Sequence, residues 1–209
     1  MTQLIAISTS DGVTLEAERR AAPVPSKAAV VLCHPHPQYG GTMRSLVISA
    51  LFEALPALGI DCLRFNYRGV EGSTGSYSDG VGERLDVLAA LDALVEHSDA
   101  GIPIGLIGWS FGADMALATH DPRIAGWMGI ALPVRFVDSD ELTAVADDQR
   151  PKLLALAQHD EFRDAQWVID ATRTWTNTRA EVVPGASHFF VGRTDRLVSL
   201  ATEFVTSLV

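Results

Sequence analysis

The chain has 209 residues, 47% hydrophobic and 20% charged, a globular composition rather than the low-hydrophobicity, high-charge signature of disorder. Sixteen Lys and Arg against 26 Asp and Glu leave a formal charge of −10, which disfavours nucleic-acid backbones, anionic membranes and strongly anionic substrates as partners. At roughly 100–200 residues per domain, the length predicts one domain over 1–209.

The first residues, Met1 to Ser8, lack the basic region and long apolar stretch of a signal peptide. The longest run free of charged or strongly polar residues, Ile124 to Val134, is too short to span a bilayer. Cys33 and Cys62 lie in apolar runs without a C-x-x-C spacing, which predicts reduced, buried thiols and a cytoplasmic address.

In chain order, the first twenty residues read as a β-hairpin turning at Ser10-Asp11-Gly12, with Val13, Leu15 and Ala17 alternating against Thr14, Glu16 and Glu18. Short continuous apolar runs follow at Ala28–Cys33, Ile60–Phe65, Ile102–Trp109, Ile124–Leu132, Leu153–Ala157 and Ala180–Val183. Such runs suit strands covered on both faces, as in a parallel sheet. Between them the apolar period becomes helical: Val47, Leu51, Ala54, Leu55 and Leu58 share a face, as do Val81, Leu85, Leu88, Leu91 and Val95, and later Leu197, Leu200, Phe204 and Leu208. Alternating strand and helix predicts an α/β protein with an open, mostly parallel sheet, whose reactive groups sit at the strand carboxyl ends.

Gly108-Trp109-Ser110-Phe111-Gly112 falls between one such strand and a helical stretch. A serine on so tight a turn is held out above the sheet, and the flanking glycines remove Cβ atoms that would collide. The N–H of Phe111, one of the first unpaired donors of the helix, is then open to a developing oxyanion. A serine hydroxyl needs a base, and the base a carboxylate to orient it. His188, in the Pro-Gly loop after the last predicted strand, suits the base. Asp160, after the strand ending at Ala157, suits the acid, with Glu161 and then Asp138 or Asp140 as competitors. Ser110, Asp160, His188 is the chain order of a nucleophile-elbow triad.

These motifs, with Cys33-His34-Pro35-His36-Pro37-Gln38-Tyr39-Gly40-Gly41-Thr42-Met43 and Phe65-Asn66-Tyr67-Arg68-Gly69-Val70-Glu71-Gly72-Ser73, make the chain resemble the α/β-hydrolases. The likeness is to the small lidless type, similar to dienelactone hydrolases and bacterial short-chain carboxylesterases. The resemblance implies a mostly parallel sheet of about eight strands, the first antiparallel, flanked by helices with minimal or no cap. Dienelactone hydrolases carry a cysteine where this chain has Ser110, which turns the expectation from lactones to general esters. The loop after Cys33 is expected to supply a second oxyanion donor. Pro35 and Pro37 have no N–H, which leaves His36 and, beyond it, Gln38.

The pair His34 and His36 has alternate spacing that can hold zinc, but no third ligand motif accompanies it and Pro35 suits a turn; neither metal nor cofactor is expected, and both imidazoles are read as bound to their loop. Arg68 and Tyr67 are read as pinning the glycine-rich 68–80 loop, with lining the pocket as the alternative; the loop lacks the Lys-Ser/Thr ending of a phosphate-binding P-loop. His97, His120 and His159 are read as structural, and Trp109 and Phe111 as either acyl wall or packing beneath the serine. The segment 134–150 is short and acidic, so no apolar lid is expected. The function these features predict is hydrolysis of small, short-chain esters through an acyl-serine, with a small-molecule ester as partner and a homodimer left open. Thioesterase, peptidase and cofactor-free haloperoxidase chemistry use the same residues, and a noncatalytic binding module on the same scaffold is the alternative of a different class.

Overall fold

The computed structural model describes residues 1–208, the side chain of Ser139 excepted. Strands β1 (Thr2–Ser8) and β2 (Thr14–Arg20) form the expected antiparallel hairpin. Its turn closes where Gly12 takes φ 86° and the Thr9 hydroxyl accepts the Val13 N–H at 2.9 Å. The remaining strands are β3 (Ala28–Cys33), β4 (Ile60–Phe65), β5 (Ile104–Trp109), β6 (Ile124–Ile130), β7 (Lys152–His159) and β8 (Thr178–Ser187). They build one eight-stranded sheet in the order β1-β2-β4-β3-β5-β6-β7-β8. β2 meets β4 antiparallel, and every later pairing is parallel.

Strand boundaries depart from the sequence reading in β5, β6, β7 and β8, with β7 extending by one residue at its start and two at its end. β5 begins two residues later than expected because Pro103 has no N–H to give the ladder and serves it only through its carbonyl, which accepts from Ala29 at 2.9 Å. β6 stops at Ile130 because Ala131 turns into the left-handed region at φ 48°. β8 is far longer than its apolar run: as an edge strand it keeps Arg179 and Glu181 in solvent and tolerates Pro184.

Side chains of the inner strands alternate between two apolar layers. One layer receives Ala28, Val30 and Leu32 of β3 and Ile107 and Trp109 of β5. It is covered by α1 (Leu46–Ala54) and α6 (Thr194–Thr206). The other receives Ala29, Val31 and Cys33 with Ile104 and Leu106. It is covered by α2 (Val81–Glu96), α3 (Phe111–Ala118), α4 (Ser139–Asp147) and α5 (Ala165–Thr172). Both cysteines are free and buried.

Of the expected α6 stripe Leu197, Leu200 and Phe204 are buried, while Leu208 lies past the helix end and is half-buried; in α1 Leu58 is left exposed beyond the helix. The α2 stripe is rotated: Val81 and Val95 are exposed, and the buried face runs through Glu83, Asp86, Val87, Leu91 and Leu94. Asp86 turns inward to take Arg68, accepting from its backbone N–H at 2.9 Å and from Nη2 at 2.8 Å. Glu83 accepts the N–H groups of Ser78 and Gly80. The acidic segment 134–150 contains only α4, capped by Asp138 and Glu141 on each other's backbone N–H groups, so no large cap covers the strand ends. No helix among the described residues is long and apolar enough to cross a membrane.

Candidate active site

The carboxyl ends of β3, β5, β7 and β8 open along one edge of the sheet, and the chemically distinctive residues sit there. Ser110 follows β5 with φ 56° and ψ −121°, a conformation that costs energy for any residue with a Cβ. Its N–H donates to Ile130 O at 2.8 Å, and its carbonyl accepts from Ala113 N at the same distance. The two glycines of the motif are steric necessities. A Cβ on Gly108 would lie 2.0 Å from Gly112 O, and one on Gly112 would lie 2.2 Å from Cys33 O.

Ser110 Oγ lies 3.0 Å from His188 Nε2, and His188 Nδ1 lies 2.9 and 3.0 Å from the two Asp160 oxygens. A carboxylate only accepts, so Nδ1 carries the ring proton and Nε2 is free to accept from the serine hydroxyl. Burial pushes the Asp160 carboxyl up, but the hydrogen bond from His188 and those from the N–H of Phe162 and Arg163 outweigh it, leaving the group below its ordinary range. Among the four carboxylates weighed for the acid, only Asp160 meets the ring. Glu161 instead accepts the backbone N–H of His188 at 3.1 Å, Asp138 caps α4, and Asp140 is exposed. Trp109 packs beneath the serine and donates its indole N–H to His188 O at 3.1 Å, so it is support rather than wall.

The loop after β3 brings His36 over Phe111, ring centroids 5.0 Å apart. Among the described residues no protein acceptor takes the N–H of His36 or of Phe111. Gln38 is ruled out as a donor, since its N–H is spent on His36 Nδ1 at 3.2 Å. That bond puts the His36 ring proton on Nε2, which faces the Tyr77 hydroxyl at 3.2 Å. The ring is further flanked by Tyr39 and Phe136 at 4.6 and 5.2 Å. His34 is fully buried. Its Nδ1–H donates to Pro35 O at 2.6 Å and its Nε2 accepts the Tyr67 N–H at 3.1 Å. Burial pushes its pKa down to about 3, and with both nitrogens engaged it has no lone pair for a metal. Arg68 pins the 68–80 loop through Asp86 and Asp11. Tyr67 is buried under Phe111 at 5.5 Å.

Sequence reasoning passed over three supports. Glu161 was weighed only as a rival acid. Asp114, a charge in an otherwise apolar helix, was a visible signal: its fully buried carboxylate accepts the N–H groups of Val134, Arg135 and Phe136 at 3.1, 2.8 and 2.9 Å. Burial pushes this carboxyl up to about 6 despite those donors. Phe162 lies against the His188 ring at 4.6 Å, a contact that no sequence periodicity announces.

A serine raised on a strained strand-to-helix turn, with a histidine and a carboxylate brought to it from later strand ends, defines the class of serine hydrolases built on an α/β sheet. The chain is similar to an α-β serine hydrolase homologue of Coxiella burnetii, 31% identical with a TM-score of 0.85 and 96% of each chain covered. It is also similar to XC6422 of Xanthomonas campestris, described as an a/b serine hydrolase without lid, 27% identical with a TM-score of 0.84 over 98% of this chain and 94% of that one. The uncharacterized protein RP471 of Rickettsia prowazekii is 28% identical over 202 residues, 93% of this chain and 85% of that protein. No protein-family model matches. The chain belongs to the α/β-hydrolase superfamily.

Proposed function

We propose that the protein is a serine carboxylesterase acting on small, short-acyl esters without a cofactor. The observation that carries the reading is the continuous hydrogen-bonded line from Ser110 Oγ through the His188 imidazole to Asp160, at 3.0 and 2.9 Å. Ser110 attacks the ester carbonyl carbon while His188 Nε2 takes its proton, and Asp160 stays ionised to stabilise the imidazolium. The N–H groups of Phe111 and His36 receive the oxyanion, a contribution worth about 3–4 kcal/mol per donor in activation energy. Collapse breaks the C–O bond, and His188 returns the proton to the leaving alcohol. Water then attacks the acyl-serine, again deprotonated by His188, and releases the acid.

A short acyl group fits the donor side of Ser110. There His36, Tyr39, Tyr77, Phe111 and Phe136 already fill the space with rings 4.6 to 6.0 Å apart. The test is labelling by a fluorophosphonate probe together with a series of acyl esters. Labelling and acetyl or butyryl hydrolysis are expected in the native protein, and Ser110→Ala is expected to abolish labelling and lower kcat at least about 10³-fold. An unlabelled native protein, or a preference for long acyl chains, would overturn the reading.

A further inference from the structure

Beside the His188 ring and just after it in the chain, three large apolar side chains are exposed. Phe162 is 66% exposed, Phe189 49% and Val191 73%. The two Phe rings stand edge-to-face, 6.3 Å apart at 78°, and lie 4.6 and 5.6 Å from the His188 ring. His188 itself is only 6% exposed, so these rings form its covering toward solvent. Exposed apolar side chains that touch one another form a patch of the kind that marks a ligand or contact surface.

The proposed reaction says what touches that surface. The bond that breaks joins the acyl carbon to the alcohol oxygen, and the proton leaving Ser110 passes through His188 Nε2 to that oxygen. The oxygen must therefore come within about 3 Å of Nε2. The first carbons of the alcohol then lie along the imidazole edge, against Phe162 and Phe189. Two rings held edge-to-face leave a face and an edge open, the arrangement that a third aromatic ring completes.

Resting on the esterase reading above, we propose that Phe162 and Phe189 are specificity residues for the leaving group, and that the substrates are esters of arylmethyl or similarly aromatic alcohols. The expected preference for such esters is about tenfold, the scale of one or two aromatic contacts.

The experiment compares kcat/KM for benzyl, cyclohexylmethyl and ethyl acetate. These share one acyl group and have leaving alcohols of similar acidity, so intrinsic reactivity does not imitate recognition. Native protein is expected to favour benzyl over both others by about tenfold. The benzyl-to-ethyl ratio should fall to near unity in the Phe162→Ala, Phe189→Ala double variant. Damage to His188 lowers all three rates together and cancels in the ratio. Equal rates for benzyl and cyclohexylmethyl acetate, or a ratio unmoved by the double variant, would overturn the proposal while leaving the esterase reading intact. In a second arm, benzyl alcohol is titrated into Ser110→Ala and the ring signals of Phe162 and Phe189 are followed by NMR. Saturable shifts, with none for ethanol, support the platform even if no ester is turned over, a result that would sink only the esterase reading. No shift in that arm overturns the platform.

Discussion

His34 and His36 stand two residues apart and answer to different physics. His36 keeps its ring half-buried and gives the proposed reaction its backbone N–H, whereas His34 is sealed in, with Nδ1–H on the adjacent Pro35 carbonyl and Nε2 holding the end of β3 to the chain after β4. Only the neutral form of His34 can accept the Tyr67 N–H, and burial holds its pKa down to about 3. The unfolded chain takes up this proton near its ordinary value of about 6.5, so between these limits the unfolded state binds more protons than the folded one. Stability is fully present above about 6.5 and falls as pH drops toward 3, by up to about 1.4 kcal/mol per unit from this group. His34→Asn should lose about 1–2 kcal/mol near neutrality through its broken hydrogen bond. It should also lose the slope, so that urea melts at about pH 7 and about pH 4.5 show the gap between variant and native protein closing with acid. A gap constant across that range would count against the assignment.

At the scale of elements, the loop from β3 to α1 is built on a close approach. A Cβ on Gly41 would lie 2.1 Å from Pro35 O and 2.7 Å from His36 O, so the backbone of His36 is seated by the absence of a side chain six residues downstream of Pro35. Gly41→Ala should displace the His36 N–H and lower kcat for a short ester about 10²–10³-fold in protein that is still folded, with a lowered thermal midpoint because the clash is with backbone. Unaltered turnover would show that this loop does not supply the second donor. The same elements show what can be read from sequence. Gly108 and Gly112 were legible because their spacing around Ser110 states a steric rule, and the buried strands because both of their faces must be apolar. The α2 face was misread because the rule equates buried with apolar, whereas Glu83 is buried as the capping acceptor at the start of its own helix and Asp86 as the acceptor for Arg68, which only the fold brings near. Phe162 against His188 was invisible for the same reason: the contact joins the ends of two strands separated by a helix.

At the scale of the molecule, the proposed chemistry sits at the carboxyl ends of the strands and rests on both apolar layers, through Phe111 on one and Trp109 on the other. α6 lies on the second, with Phe204 2% exposed and close enough to β5 that a Cβ on Gly105 would lie 2.9 Å from its ring. Phe204→Ala removes a buried ring and should cost about 3–5 kcal/mol in denaturant melts. Turnover by the folded fraction should remain near native, because the Ser110, His188 and Asp160 hydrogen bonds are made at the far end of the strands. Loss of turnover in protein that is still folded would show that the two ends of the strands are coupled.

The grip of Asp114 on Val134, Arg135 and Phe136 bears on how such a chain can change over generations. The connection from β6 to β7 is tied at its start to the helix that follows Ser110. It is tied again at its end, where Arg150 donates to Asp121 O and Ile124 O at 2.8 Å each and lies over Trp127 at 4.3 Å. Between these two anchors the exposed turns beside α4 can lengthen while the ends stay put and Val145 of α4 stays packed on the sheet. Descendants could acquire a cover over the cleft there, and new tastes in substrate, without the serine ever moving.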